Sequence, residues 1–289
     1  MPQSTDELLS LLDLEMIEEG LFRGRKPETS LQRVFGGQVA SQALVAAART
    51  VNEGRVVHSL HAYFLRPGDT SVPILYAAER NLDGRSFSSR RVVARQHGRP
   101  IFYMSASFQV PEEGLEHQDA MPDVDPPGEC PELGDVLAKL SGRPRDDWDR
   151  EWASLSVRYA GQVHADREAG VESGSRVWLK ASEPIADDPV LHAAVLTYAS
   201  DLTLLSAAVT PHGTYIGDPR LQPASLDHAM WFHRAFRVDE WLLYDQASPS
   251  ASGGRGLATG RLFTEDGRLV ASAVQEGLVR LKGQAHPVG

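Results

Sequence analysis

This sequence is short of sulfur, of continuous apolar runs and of positive charge. Cys130 is the only cysteine among 289 residues, so no disulfide can close within the chain and no thiolate cluster can hold zinc. No uninterrupted apolar run reaches the roughly 18 residues of a membrane-spanning helix. The first twenty residues, MPQSTDELLSLLDLEMIEEG, are acidic and lack the basic and apolar regions of a signal peptide. A cytoplasmic location without an integral membrane segment is the expectation these absences leave. Lys and Arg number 29 against 39 Asp and Glu, a formal charge of −10, so the chain as a whole should repel nucleic acid. An anionic ligand would have to be met by a local group of arginines. The ten histidines are scattered, without the paired spacing that suggests zinc, so neither a metal nor a cofactor is expected.

What is present is a pattern that occurs twice. Gly36–Arg49, GGQVASQALVAAAR, is proline-free, rich in Ala and apolar on most sides, which predicts a buried helix. Strand-like runs follow at Val56–Arg66, Val72–Asn81, Phe87–Gln96 and Pro100–Val110, broken by Pro67-Gly68, Asp83-Gly84 and His97-Gly98-Arg99. Later, Asp188-Pro189 supplies an N-cap acid and a first-turn proline. Val190–Val209 then reads as a second long apolar helix. Strand-like runs come after it at Leu226–Phe236, Trp241–Ala247, Arg255–Thr264 and Leu269–Leu281. The copies also match in letters: VASQALVAAA with YASDLTLLSAA, HSLHAYF with ASLDHAMWF, HGRPIFYMSASF with DGRLVASAVQEG. The alternative is coincidence between two ordinary α+β domains.

From Pro111 to about Trp152 the chain is acidic and proline-rich, with seven acids up to Glu129 and no Lys or Arg before Lys139. It reads as a solvated tether. The expected organisation is an N-terminal half over 1–115, a linker over 116–152 and a C-terminal half over 153–289.

Three polar residues break local rules. Asp201 lies inside the second predicted helix with Thr197, Tyr198, Leu204 and Leu205 on its own side. Aspartate is a poor interior helix residue, and burial would raise its pKa toward that of a useful base. The alternative is an acid on the helix's exposed edge. Gln275 shares a strand face with Ala271, Ala273 and Gly277, a face either covered by the helix or open to solvent. Ser225 precedes LDHAMWFHR, where a turn or capping role is the ordinary one. In the first copy Asp201 aligns with Gln42, Gln275 with Ala106, and Ser225 with His58 or Ser59. One active site in two similar halves would produce that inequality.

The strings RVFGGQVASQAL, HSLHAYFLRPGD, DGRSFSSRRV, GRPIFYMSASFQ, SLDHAMWFHR and VASAVQEGLVR occur in this order. With them the chain resembles the acyl-CoA thioesterase II family from about Leu21 to Arg280. The resemblance implies an α+β double-hotdog fold, in which each half packs a long helix on an antiparallel sheet and the two form a pseudo-dimer. It implies an acyl-CoA substrate and a catalytic trio of Asp, Thr or Ser, and Gln in the second half, which falls on Asp201, Ser225 and Gln275. Some members carry threonine where this chain has Ser225, so the hydroxyl is retained. By analogy a homo-oligomer, dimer or tetramer, is expected.

On this reading Asp201 is the general base for a water held by all three residues. The oxyanion is met by backbone N–H groups or the Gln275 amide. Arg85, Arg90, Arg91 and Arg255 are candidate contacts for the CoA phosphates, against the alternative of exposed strand arginines. Gly37, at a Gly36-Gly37 helix start, is a candidate anion contact. The rival readings are a hotdog acyl-CoA hydratase or dehydratase using an Asp-His pair such as Asp227-His228, and an acyl-CoA binding protein without catalysis. His61 and His228 read more simply as packing residues.

Overall fold

The computed structural model describes residues 1–26, 29, 31–163 and 174–283. Positions 164–173 and 284–289, which fall in the predicted C-terminal half, lie outside the described residues, as do 27, 28 and 30. The first group of elements is α1 (Thr5–Leu12), β1 (Glu15–Glu18), β2 (Leu21–Gly24), α2 (Gly36–Ala48), β3 (Val56–Phe64), β4 (Ile74–Asp83), β5 (Phe87–Gln96) and β6 (Arg99–Gln109). The second is α3 (Leu133–Ser141), α4 (Arg145–Trp152), β7 (Leu155–Val163), β8 (Gly174–Ala181) and α5 (Pro189–Thr203). It ends with β9 (Leu221–Ser225), β10 (Asp227–Phe232), β11 (Leu242–Ser252), β12 (Arg255–Thr264) and β13 (Leu269–Leu281). Helical backbone continues past α5 in 3₁₀ form over Leu204–Ala208.

The strands form one antiparallel sheet in the order β1-β2-β4-β5-β6-β3-β10-β13-β12-β11-β8-β7, with β9 paired to β13. Its middle is the seam between the groups, where β3 pairs with β10 and Leu60 faces Met230. Both of those side chains are fully buried. The helices α2 and α5 pack on each other and on this central part of the sheet. Ala40, Ala43, Ala46 and Ala47 of α2 and Ala193, Ala194 and Ala199 of α5 are buried, and such small side chains let the two backbones approach closely. The arrangement is α+β, with two helix-on-sheet units joined through one sheet.

The stretch 189–212 is long and apolar enough by composition to cross a membrane, but 78% of its 18-residue apolar window is buried inside the protein. Its hydrophobicity is spent on the core.

The predicted tether is only partly a tether. Most residues of 111–129 are exposed, but Cys130, Leu133 and Trp148 are buried, and the Trp178 indole donates to the Asp125 carbonyl at 2.9 Å. Leu133, Val136, Leu137 and Leu140 recur at helical spacing, a signal that the nearby prolines and acids obscured. The strands β1, β2, β7 and β8 also went unpredicted. They sit at or near the sheet's ends, where β1 and β7 pair only with the next strand in the chain, while β2 and β8 join the sheet through β4 and β11, distant in sequence.

Candidate active site

Asp188 starts α5 by accepting a hydrogen bond from the Val190 N–H at 2.8 Å, with Pro189 in the first turn. Twelve residues after Pro189, the last turn carries Asp201. The carbonyl end of a helix is a poor place for a negative charge, but the start of α2 faces it. The Gly37 N–H donates to the Asp201 carboxylate, so the positive end of one helix offsets the negative end of the other. A Cβ on Gly36 would stand 2.6 Å from Asp201 Oδ2, and one on Gly37 would stand 2.5 Å from the Tyr198 carbonyl. Only glycine permits this approach. Phe35, capping α2, meets the Tyr198 ring edge-on at 5.1 Å and fixes the entry of the chain.

Two strands bring the partners. Gln275 of β13 is fully buried. Its Nε2 donates to Asp201 Oδ1 at 2.5 Å and to Ser225 Oγ at 2.9 Å. Ser225, at the end of β9 and opposite Gly277 of β13, donates to the same Asp201 oxygen at 3.3 Å. Residues from a helix and two strands, up to 74 positions apart in sequence, thus share one hydrogen-bonded cluster. Among the described residues Gln275 Oε1 is buried there without a hydrogen-bond partner. A buried amide oxygen left unpaired costs about 1–3 kcal/mol, so a small donor such as water belongs against it.

By surface area Asp201 is only half-buried as a residue, but its carboxylate is enclosed by Gly36, Gly37, Ser225 and Gln275. Burial raises its pKa to about 6, against the lowering effect of the Gln275, Gly37 and Ser225 hydrogen bonds. The carboxylate is therefore mostly ionised at neutral pH and still basic enough to take a proton.

In the first group of elements the same place is closed. Gln42 replaces the acid. Its Oε1 accepts from the Tyr76 hydroxyl at 2.7 Å, its Nε2 donates to the Leu11 carbonyl at 2.6 Å, and Gly24 packs against it. Ala106 stands where the second group has Gln275. The polar atoms of Gln42 are all paired within the protein, and none is left for a ligand.

The arginine candidates fare differently. Arg90 is buried, and its guanidinium donates to Thr50, to the Leu82 and Ser89 carbonyls and to Asp83. It fastens the end of α2 to the sheet and is not available to a phosphate. The reason is pleat direction: Arg90 and Arg91 point to opposite faces, and Arg90 has the inner one. Arg91 is exposed beside Glu79 at 3.9 Å, and Arg255 is paired with Glu276 at 2.9 Å. Arg85 is exposed in the β4–β5 turn, near the end of β6 where Val110 donates to the Ser86 carbonyl. The cluster lies toward the other end of β6, so Arg85 is remote from it.

His228 is buried and neutral, its pKa lowered to about 4 by burial, and its Nε2 lies 2.8 Å from Ser200 Oγ. Asp227 points away and accepts from the Glu276 N–H at 2.7 Å. Asp227 and His228 do not form a pair. Among the described residues, no three His, Cys, Asp or Glu side chains converge as metal ligands would.

One cavity reaches the cluster and a second lies elsewhere in the second group of elements. A cleft of about 330 Å³ runs along the seam of the sheet, lined by Gly36 and Phe64 of the first group and Ser225 and Leu226 of the second, with Arg33 and Arg66 also on its walls. A larger cavity of about 600 Å³ lies under α3 and α4. Its walls include Leu133, Leu137, Trp148, Tyr159, Leu202 and Thr203. The last two directly follow Asp201. Of the cleft residues the sequence singled out Ser225 and the Gly36-Gly37 helix start, whereas Arg33 and Arg66 were not recognised.

Models of two acyl-CoA thioesterase domains match this chain, the N-terminal domain at residues 25–109 and the acyl-CoA thioesterase domain at 149–278. An acyl-CoA thioesterase 2 from Haemophilus influenzae is 37% identical over 97% of this chain and 99% of its own length. The chain belongs to the acyl-CoA thioesterase family. This thioesterase is also 40% identical to human acyl-coenzyme A thioesterase 8, over 95% of this chain and 89% of the human one. Its fold matches the crystal structure of an acyl-CoA thioesterase II from Mycobacterium marinum, with a TM-score of 0.80 at 47% identity over 95% of this chain and 98% of that one. A hotdog-fold protein from Alicyclobacillus acidocaldarius aligns with a TM-score of 0.75 at 20% identity, over 96% of this chain and 98% of that one. The fold is a double hotdog, and the thioesterase is a thioester hydrolase.

Proposed function

We propose that the enzyme hydrolyses fatty acyl-CoA to a fatty acid and CoA with a water held by Asp201, Ser225 and Gln275. The observation that carries this reading is the unpaired, buried Gln275 Oε1 beside a carboxylate and a hydroxyl. A water there has Asp201 and Gln275 Oε1 as acceptors for its protons and Ser225 Oγ as a neighbour. Asp201 takes one proton as the water oxygen attacks the thioester carbonyl. Fixing the water beforehand supplies several kcal/mol of the required barrier lowering. With the Gly37 N–H already engaged by Asp201, other backbone N–H groups near the start of α2 would meet the developing oxyanion. When the C–S bond breaks, the thiolate leaves with a pKa near the ordinary thiol value of about 8.5. The proton held by Asp201 balances the products, and no histidine is needed.

The 600 Å³ cavity, whose walls include Leu202, offers apolar room for the acyl chain, within the usual size range of ligand pockets. The hydratase reading finds no support in the separated Asp227 and His228. Ser225 as a covalent nucleophile is disfavoured because the buried imidazole of His228 engages Ser200 instead.

Thiol release from palmitoyl-CoA, followed with a chromogenic disulfide, tests the reading. Wild type should release thiol without change in enoyl absorbance, and Asp201→Asn should lose at least 100-fold in kcat. Activity of that variant within a few-fold of wild type would remove Asp201 from the mechanism.

A further inference from the structure

We infer that the phosphate end of the CoA substrate is held by Arg33 and Arg66, at the mouth of the seam cleft that ends on Ser225. The inference rests on the acyl-CoA reading above and assigns the half of the substrate that reading left unplaced.

The cleft touches the cluster directly, through Ser225 and through Gly36, whose Cα lies against Asp201. A thioester carbonyl delivered to the cluster along this route leaves its thiol portion in the cleft. The walls suit a pantetheine arm: Phe64, Ile101, Phe102 and Leu226 are apolar. A volume of about 330 Å³ does not hold a whole CoA, so the nucleotide must lie at the mouth, on the surface. Arg33 and Arg66 line the cleft and are both exposed. Among the described residues no acid lines it, in a chain where acids outnumber bases by ten. That local reversal of charge is what a strongly anionic ligand requires.

Chemistry separates this pair from the strand arginines. Arg90, Arg91 and Arg255 each have a carboxylate within ion-pair distance, and a phosphate would have to displace it. Arg66 uses one of its five N–H donors, toward the Pro100 carbonyl at 2.7 Å. That bond steadies the guanidinium at the start of β6 and leaves its other donors for a phosphate fork. Arg85 is excluded by distance: its turn lies by Val110, eight residues along β6 from Phe102 in the cleft wall, or about 26 Å at 3.3 Å per residue.

Titration calorimetry with free CoA on the full chain tests this directly, using wild type, Arg33→Gln, Arg66→Gln and Arg91→Gln. The Kd should rise about tenfold in each of the first two variants and stay within twofold of wild type in Arg91→Gln. Wild-type affinity should also fall as salt is raised. The matching kinetic signature is a raised KM for acyl-CoA with kcat within about twofold. An acyl thioester of N-acetylcysteamine, which has no phosphate, should be turned over unchanged. CoA affinity unchanged in both arginine variants would overturn the assignment, as would wild type failing to bind CoA or an equal loss on the phosphate-free thioester. Arg33 makes no hydrogen bond or ion pair among the described contacts, so its replacement keeps the test meaningful if Arg66→Gln proves unstable. The Asp201→Asn variant should still bind CoA while failing to hydrolyse acyl-CoA, so the two readings fail separately.

Discussion

Replacing Asp201 with asparagine should remove activity and, at neutral pH, relieve the fold of a cost. In the native state burial raises the Asp201 pKa to about 6 from an ordinary 3.8. A group whose folded pKa is raised binds its proton more tightly in the native state. Its stabilising contribution is complete below pH 4 and is lost as pH rises through 6. The shift of roughly two units corresponds to about 3 kcal/mol, an upper figure because the residue keeps part of its surface in solvent. Asparagine does not titrate. Its amide also disturbs the bonds to Gly37 and Gln275, but that disturbance is the same at every pH. The informative quantity is therefore how the stability difference between variant and wild type changes with pH. Urea unfolding at pH 4.5 and at pH 7.5 should show that difference moving toward the variant by up to about 2 kcal/mol, since part of the effect is already lost at pH 4.5. A change below about 0.5 kcal/mol would mean that the carboxylate is not desolvated, and the argument for a buried base would fall.

The pH profile of kcat/KM should fall about tenfold per unit below pH 6 and level off above pH 7, since only ionised Asp201 accepts the water proton. A profile flat down to pH 5 would contradict this. Gly36→Ala sets a methyl group 2.6 Å from Asp201 Oδ2, so kcat should drop at least tenfold while circular dichroism stays native; near-normal turnover would show that the start of α2 yields easily. Arg90→Leu removes the clamp on Thr50 and Asp83 and should lower stability by about 3 kcal/mol with no change in KM for acyl-CoA, read from urea unfolding and steady-state kinetics. Ser206→Phe projects into the 600 Å³ cavity, and hydrolysis of long acyl-CoA should fall relative to short; equal rates across chain lengths would place the acyl chain elsewhere.

The strands with the clearest turn chemistry were legible in the sequence. Phe87–Gln96, Arg255–Thr264 and Leu269–Leu281 are present with the predicted limits, because alternation and flanking turns are local properties. So was the abnormality of Asp201, since an acid between apolar helix neighbours conflicts with local propensity wherever the chain is placed. The helix predicted to reach Val209 instead passes into 3₁₀ form at Leu204, where its side chains meet β12 and β13, a contact that no local pattern encodes.

Composition and alternation determined that two helix-on-strand units would form, and the unequal polar content of those units pointed to the second as the candidate site. Tertiary structure decided what the carboxylate would be worth. The start of α2 had to meet the end of α5, and two strands had to bring Gln275 and Ser225 to one oxygen, before burial could raise a proton affinity. It also decided which arginines were used up in ion pairs or buried and which were left at the seam. Charge is written in the sequence, but availability depends on which face of a strand is covered, and packing alone sets that.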